Sequence, residues 1–351
     1  MFVKKNLIAV AALATLAVSA QAQSSVTLYG NLDVSGAYVK NKQGDQSQST
    51  TAVESSILTE SYLGLKGVED LGGGLKAMFK LESSLAVDTG NASTTFYDLD
   101  ERDGLDSKNF WDKNALVGVS GDFGTVTLGN QESLFKLQAA AFNPFGTSRL
   151  LATSQLLLTA SGLGGSWQNT VGYTSANLSG LTVSAQHSAK EGGRGDATKY
   201  NGGATAVAAN YGVGPLALSA VYGDVRSTNA TAQETRQKAY LLGASYDFGA
   251  VKAFAQYGRD KVQQKGVPGD DTAKFFQLGA VVPVTQAGTV HAAFGQVKDE
   301  ESKIRQISLT YNHSLTKRSG VYAGFTYIKD EISGEPDGKT TALAVGLRHA
   351  F

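Results

Sequence analysis

The chain has no cysteine among its 351 residues, which excludes disulfides, thiolate catalysis and cysteine-ligated metal centres. Charge of one sign is missing too: 31 Lys and Arg balance 31 Asp and Glu, so no global field recruits nucleic acid. Histidine is scarce, and His187, His291, His313 and His349 are scattered, with no metal-ligand spacing among them. No Gly-x-Ser-x-Gly elbow occurs, and no catalytic residue, metal or cofactor is assigned. After the leader, no stretch approaches about eighteen consecutive apolar residues, so helices are not expected to cross a membrane. Proline is rare at 5 residues while Gly (41) and Tyr (14) are plentiful, a balance that suits strands and tight turns.

The first residues, MFVKKNLIAVAALATLAVSAQAQ, place Lys4 and Lys5 ahead of an apolar run from Leu7 to Val18 and a small-residue site at Ala20-Gln21-Ala22. Residues 1–22 therefore read as a secretory signal cut before Gln23, leaving residues 23–351 as one exported domain. Without Lys4 and Lys5 the balance becomes 29 basic against 31 acidic residues.

At the other end, TTALAVGLRHAF (Thr340 to Phe351) alternates with period two. Leu343, Val345, Leu347, His349 and Phe351 fall on one face, and Ala344, Gly346, Arg348 and Ala350 on the other. One face suits lipid and the other water, as expected of the closing strand of an outer-membrane barrel. Seven short turns punctuate the chain: 69–74, 121–125, 176–180, 212–215, 247–250, 285–288 and 314–319. Eight longer polar segments alternate with them, near 41–56, 83–110, 133–166, 188–199, 225–236, 260–272, 298–303 and 329–340. Those fifteen connections predict an all-β fold, a 16-stranded antiparallel transmembrane β-barrel with the first strand beside the last. The strands agree. Val26, Leu28, Leu32, Val34 and Tyr38 share one face of the first strand, with Thr27, Tyr29, Asn31, Asp33 and Ser35 on the other. In the third, Lys76, Met78, Lys80 and Glu82 face the lumen. Aromatics near strand ends, such as Tyr246, Phe248, Tyr257, Tyr311 and Phe351, would form interfacial girdles.

Five blocks resemble the trimeric general porins of Gram-negative outer membranes, in particular the neisserial and betaproteobacterial branch. They are SSVTLYGNLDVSG (Ser24 to Gly36), YLGLKGVEDLGGGLKAMFKL (Tyr62 to Leu81), GTVTLGNQ (Gly124 to Gln131), YNHSLTKRSGVYA (Tyr311 to Ala323) and VGLRHAF (Val345 to Phe351). The resemblance runs from end to end. It implies a homotrimer of sixteen-stranded barrels, each with a wet pore narrowed by an inward-folded third loop. It also implies contact with outer-membrane lipid and lipopolysaccharide, and delivery by the barrel-assembly machinery through a C-terminal signal carrying Leu347 and Phe351.

The third loop fits that pattern in place but not in chemistry. Asn143-Pro144-Phe145-Gly146 resembles the family's Pro-Glu-Phe-Gly motif with Pro144 where the acid would sit, and 133–166 holds no Asp or Glu. Its charges are Lys136 and Arg149. Tyr62 stands where the family carries an eyelet arginine, Lys113 replaces another, and Ser166 occupies the place of a third. The remaining inward candidates are Lys66, Lys76, Lys80, Lys113 and Arg149 against Asp33 and Glu82, so a passive channel for small ionic or polar solutes with weak anion selectivity is expected. Two alternatives stay open: Phe142, Phe145 and the loop leucines could select aromatic or amphipathic anions, or a barrel with an occluded pore could serve as an adhesin. The acidic stretch DLDERDGLD (Asp98 to Asp106) lacks calcium-loop spacing and reads as a solvated second loop, which by resemblance reaches over a neighbouring subunit.

Overall fold

The computed structural model describes residues 25–92, 110–158, 162–190, 203–228 and 234–351; the leader, 1–22, and the acidic stretch, 98–106, lie outside them. β1 (Ser25–Gln43) turns at Gly44 into β2 (Gln46–Ser55). The chain then leaves the wall, folds inward over 56–61 and rejoins it as β3 (Tyr62–Gly72). One stave is thus interrupted: β1 pairs with β3 from Ser25↔Val68 to Asn31↔Tyr62, and with β2 from Val34↔Ser55 to Gln43↔Gln46. The segment 41–56, expected as a loop, is mostly paired sheet. Its residues are polar on both faces because this hairpin is wet on both, so no apolar alternation marks it as strand.

β4 (Leu75–Ala86) carries the two-residue β5 (Asn91–Ala92) at its tip and pairs directly with β6 (Asn114–Gly121). Around the wall follow β7 (Gly124–Glu132), β8 (Ser166–Thr174), β9 (Leu181–Ser188), β10 (Ala204–Val213) and β11 (Leu216–Thr228). Next come β12 (Glu234–Asp247), β13 (Lys252–Gln264), β14 (Asp271–Pro283) and β15 (Gly288–Lys298). Then β16 (Ser302–Ser314), β17 (Ser319–Ile332) and β18 (Gly338–Ala350) complete the circuit. β18 closes on β1 from Asn31↔Ala350 to Gln43↔Gly338, and Gly30 and Phe351 exchange backbone hydrogen bonds at 3.2 and 3.1 Å. With β2 and β3 as one stave and β5 outside the wall, the barrel has sixteen, all antiparallel. Closure leaves no unpaired edge, which hydrocarbon requires.

Burial is inverted relative to a soluble protein. Val26 and Val345 are each 68% exposed on the outside, whereas Asp33 and Gln277 are fully buried inside.

The third loop enters the barrel as α1 (Leu134–Ala141), capped by Ser133, whose Oγ accepts from the Lys136 N–H at 3.0 Å. Its Leu, Lys, Gln and Ala residues favour helix, and it ends just before Asn143-Pro144, because the residue ahead of a proline is pushed away from helical geometry. A single turn, α2 (Gln155–Leu158), follows.

Candidate functional site, the narrowed lumen

The third loop lies against the inner wall on a track of glycines. At Gly243 an added Cβ would meet Phe142 Cγ at 2.6 Å, at Gly295 it would meet Thr153 Cβ at 2.5 Å, and at Gly258 it would meet Leu157 Cδ2 at 3.2 Å. Gly223 faces Leu163 and Gly279 faces Pro144 in the same way, while Leu151 lies at ordinary contact distance from Gly324. The missing side chains let loop and wall pack at backbone distance. Between the glycines, inward glutamines hold the loop's polar groups. Gln277 accepts from Asn143 Nδ2 at 2.7 Å and the Thr153 hydroxyl at 2.5 Å, and donates to the Phe142 carbonyl at 3.1 Å. Gln256 donates to the Ala139 carbonyl at 2.9 Å, and Gln306 to that of Leu150 at 2.7 Å. His291 donates from Nδ1 to the Pro144 carbonyl at 2.7 Å.

Phe145, a candidate lining residue, is 3% exposed and packs among Ile57, Leu58, Leu151, Ala293, Tyr322 and Ala344. Phe142, Leu157, Leu158 and Leu163 are likewise buried. These side chains anchor the loop.

Asp33 is spent on architecture as well. Its Oδ2 accepts from the Leu58 and Thr59 N–H groups at 2.8 and 2.6 Å, and its Oδ1 from the Tyr322 hydroxyl at 2.8 Å. It therefore pins the inward segment 56–61, which in turn holds the third loop through the Ser148 hydroxyl donating to the Ile57 carbonyl at 2.6 Å.

Charges gather where α1 meets the wall of β1 to β7. Lys113 and Lys136 each pair with both Glu60 and Glu132; Lys113–Glu132, Lys136–Glu60 and Lys136–Glu132 lie at 3.1, 2.9 and 2.9 Å, and Lys113–Glu60 completes the square. Burial pushes the Glu60 carboxyl up, but Lys136, Lys113 and the nearby Arg149 outweigh it and hold that group well below the usual carboxylate range. Burial likewise lowers the Lys113 ammonium, and Glu60 and Glu132 override it and raise it above the ordinary lysine value. Towards the turn rim, Lys80 pairs with Glu82 at 2.8 Å, and Glu82 also accepts from the Tyr29 hydroxyl at 2.7 Å and from Asn114 Nδ2. Lys66 lies 4.6 Å above the Tyr29 ring, and Lys113 lies 5.7 Å from that of Tyr62. Lys76 is not part of this group: it sits opposite Asp70, two residues past Gly74 at the turn. The Ser166 hydroxyl donates to the Lys113 carbonyl at 2.8 Å and so props the lysine's backbone.

Thus the structure brings together Tyr62, Lys66, Lys80, Glu82 and Lys113, with Arg149 on the adjoining loop, and leaves Lys76 at the rim. In this cluster five basic groups, Lys66, Lys80 and Lys113 on the wall and Lys136 and Arg149 on the loop, meet the acids Glu60, Glu82 and Glu132.

A sixteen-stave barrel around a wet, loop-narrowed bore is matched by comparison with known proteins, the Gram-negative porin family model aligning with residues 9–333. The chain belongs to the Gram-negative porin family. It is 33% identical to outer membrane porin protein 32 of Delftia acidovorans, over 99% of this chain and 100% of the relative. Among solved structures it resembles the anion-selective porin from Comamonas acidovorans, with TM-score 0.79 and 27% identity over 93% of this chain and 100% of the other. A trimer form of an outer membrane protein of Vibrio cholerae shares the fold at TM-score 0.68 and 14% identity, covering 93% and 99% of the two chains. The porin is accordingly an outer-membrane protein.

Sequence reasoning missed Glu60, Glu132 and the wall glutamines. Glu132 and Lys136 stand four apart, the helical spacing of an ion pair, but Glu60 is 53 residues from Lys113 and 76 from Lys136 in the chain, and no local pattern joins them.

Proposed function

We propose that this porin is a passive diffusion channel for small hydrophilic solutes and ions, with weak anion selectivity and no chemical reaction. The observation that carries the reading is the cluster of basic groups beside the narrowed lumen, Lys66, Lys80 and Lys113 on the wall and Lys136 and Arg149 on a third loop that holds no acid. The anion-selective Comamonas relative supports the same sign. Salt screens such charges over about 8 Å, so the preference is modest. Reversal potentials in planar bilayers under a salt gradient test it: a positive-charge lumen gives an anion-selective sign, and clear cation preference overturns the reading. Phe142 and Phe145 pack against the wall, which favours polar solutes over aromatic ones. Liposome uptake of aromatic acids against sugars of equal size should show no aromatic advantage.

The exported form begins after residue 22, and the assembly is a homotrimer. β6 to β9 have 8, 9, 9 and 8 residues, against 11 to 14 in β11 to β18. Eight residues tilted by about 45° rise only about 19 Å, short of an apolar band about 25 Å tall, so this low wall needs protein cover. An apolar groove of about 480 Å³ opens beside it between Val26, Phe79, Val117 and Leu128. Lipopolysaccharide surrounds the tall wall, and the outward Leu347 and terminal Phe351 present the strand that the barrel-assembly machinery takes up.

A further inference from the structure

We propose that the tall wall, from β13 through β18 to β1, carries a belt of lysine and arginine that binds the phosphate-bearing headgroups of the outer-leaflet glycolipid. This rests on the lipopolysaccharide contact proposed above and gives it a place and a chemistry.

Residues directly opposed in an antiparallel pair point to the same face. Register sets basic against basic around this wall: Arg259↔Lys274, Lys274↔Lys298, Lys298↔Lys303, Lys329↔Lys339 and Lys339↔Lys42. All point outward, because the residues alternating with them, such as Asp260, Phe275 and Val297, are buried on the inside. Like charges in direct opposition destabilise a sheet unless something anionic lies between them. The protein supplies part of this: Glu331 pairs with Arg305 and Lys329, and Asp337 with Lys329. Among the described residues, Arg259, Lys274, Lys298, Lys303, Lys339 and Lys42 have no carboxylate at ion-pair distance.

Depth identifies the counter-charge. One outward position below Arg259 and Lys274, about 7 Å along the strand, stand Tyr257 and Phe276. They belong to a row in which Tyr240 meets Tyr257 at 6.3 Å and Phe276 meets Phe294 at 5.7 Å between ring centroids. Below that row come apolar positions, Leu242, Leu278 and Leu309, all exposed. An aromatic row above an apolar band marks the membrane interface, so the basic row stands at headgroup level. Arginine grips phosphate with a planar fork, and lysine meets it as a point charge.

The belt is also one-sided. β6 to β10, which include the low wall, contain no lysine or arginine. Water at the rim would give no reason for such asymmetry. Lipid against the tall wall and protein against the low one does.

The test titrates the purified porin in neutral detergent with a labelled diphosphorylated glycolipid and with its dephosphorylated form. The phosphorylated lipid should bind at least tenfold tighter, in EDTA as well as without it, and millimolar inorganic phosphate should not displace it. Combining Lys42→Gln, Lys274→Gln, Lys298→Gln and Lys339→Gln should weaken binding roughly tenfold or more. Lys252→Gln with Lys317→Gln, on the opposite rim, should leave it unchanged. Should the fourfold variant fold poorly, Lys274→Gln and Lys339→Gln singly should each cost several-fold. Equal affinity for the two lipids, unchanged affinity in the belt variants, or binding that vanishes in EDTA overturns the proposal. Bilayer conductance of the same preparations separates the two readings: a porin that conducts but ignores lipid phosphate loses the belt and keeps the channel.

Discussion

The wall from β11 to β17 and the wall from β1 to β7 face each other across one lumen, yet their inner faces are made of different chemistry. The first presents Gly223, Gly243, Gly258, Gly279, Gly295 and Gly324 with Gln237, Gln256, Gln277 and Gln306, and holds the third loop by close approach and neutral hydrogen bonds. The second presents Tyr29, Lys66, Lys80, Glu82, Lys113 and Glu132, and meets the loop through the Lys136 ion pairs and through the inward segment 56–61, where Ile57 accepts from Ser148. One side therefore anchors the loop by neutral contacts and the other chiefly by ion pairs. A loop without acids can be seated on a neutral wall, and its Lys136 meets the carboxylates of the opposite side.

If the charged wall grips the loop through buried pairing, breaking that square should have the largest effect. Glu60→Gln leaves Lys113 and Lys136 to share Glu132, and is expected to cost about 3–5 kcal/mol, read as a fall in the denaturation midpoint. Adding Lys136→Gln should recover part of the loss; no recovery would mean that the lysine is not what Glu60 neutralises. On the neutral wall, Gly243→Val drives a side chain into Phe142 and should cost about 1–3 kcal/mol with a change in single-channel conductance. Gly36→Val, where nothing lies within 4 Å of the added Cβ, is the matched control and should change neither. Gln277→Leu strands Asn143, Thr153 and the Phe142 carbonyl, and is expected to cost about 1–2 kcal/mol in the same unfolding measurement.

Much of the barrel was legible in the chain because lipid imposes a period. Leu343, Val345 and Leu347 announce a lipid face, and Gly-rich turns such as 72–74 announce the short rim. The first hairpin was not legible, since a strand wet on both sides carries no alternation. Alternation also tells face but not height: Lys76 and Lys80 have the same parity, and only the distance of Lys76 from the turn at Gly74 separates rim from constriction. The third loop's place could be read from its length and lack of acids. Its seat could not, because the glycines that receive it look like any others until the loop lies on them. Asp33 reads as a lumen charge from parity alone; its three donors, Leu58, Thr59 and Tyr322, come from segments 25 to 289 residues away.

The smallest effect should come from pH, and its flatness sharpens the contrast between the walls. Glu60 is held below the usual carboxylate range, so its contribution to stability is complete above the ordinary glutamate value of about 4.3 and is lost as pH falls through its folded value. Lys113 is held above the usual range, so its contribution is complete below the ordinary lysine value of about 10.4 and is lost only as pH rises through its folded value. Between about pH 5 and 9 both contributions are whole. The stability difference between the wild type and Glu60→Gln should therefore stay constant across that window and shrink only in stronger acid. Melting both proteins at intervals of one pH unit checks this, and a difference that already closes between pH 7 and 6 would show that the lysines do not hold Glu60 ionised. The neutral track should give no such signature: the deficit of Gln277→Leu should persist in acid where that of Glu60→Gln fades, because no proton is exchanged when an amide grips a loop.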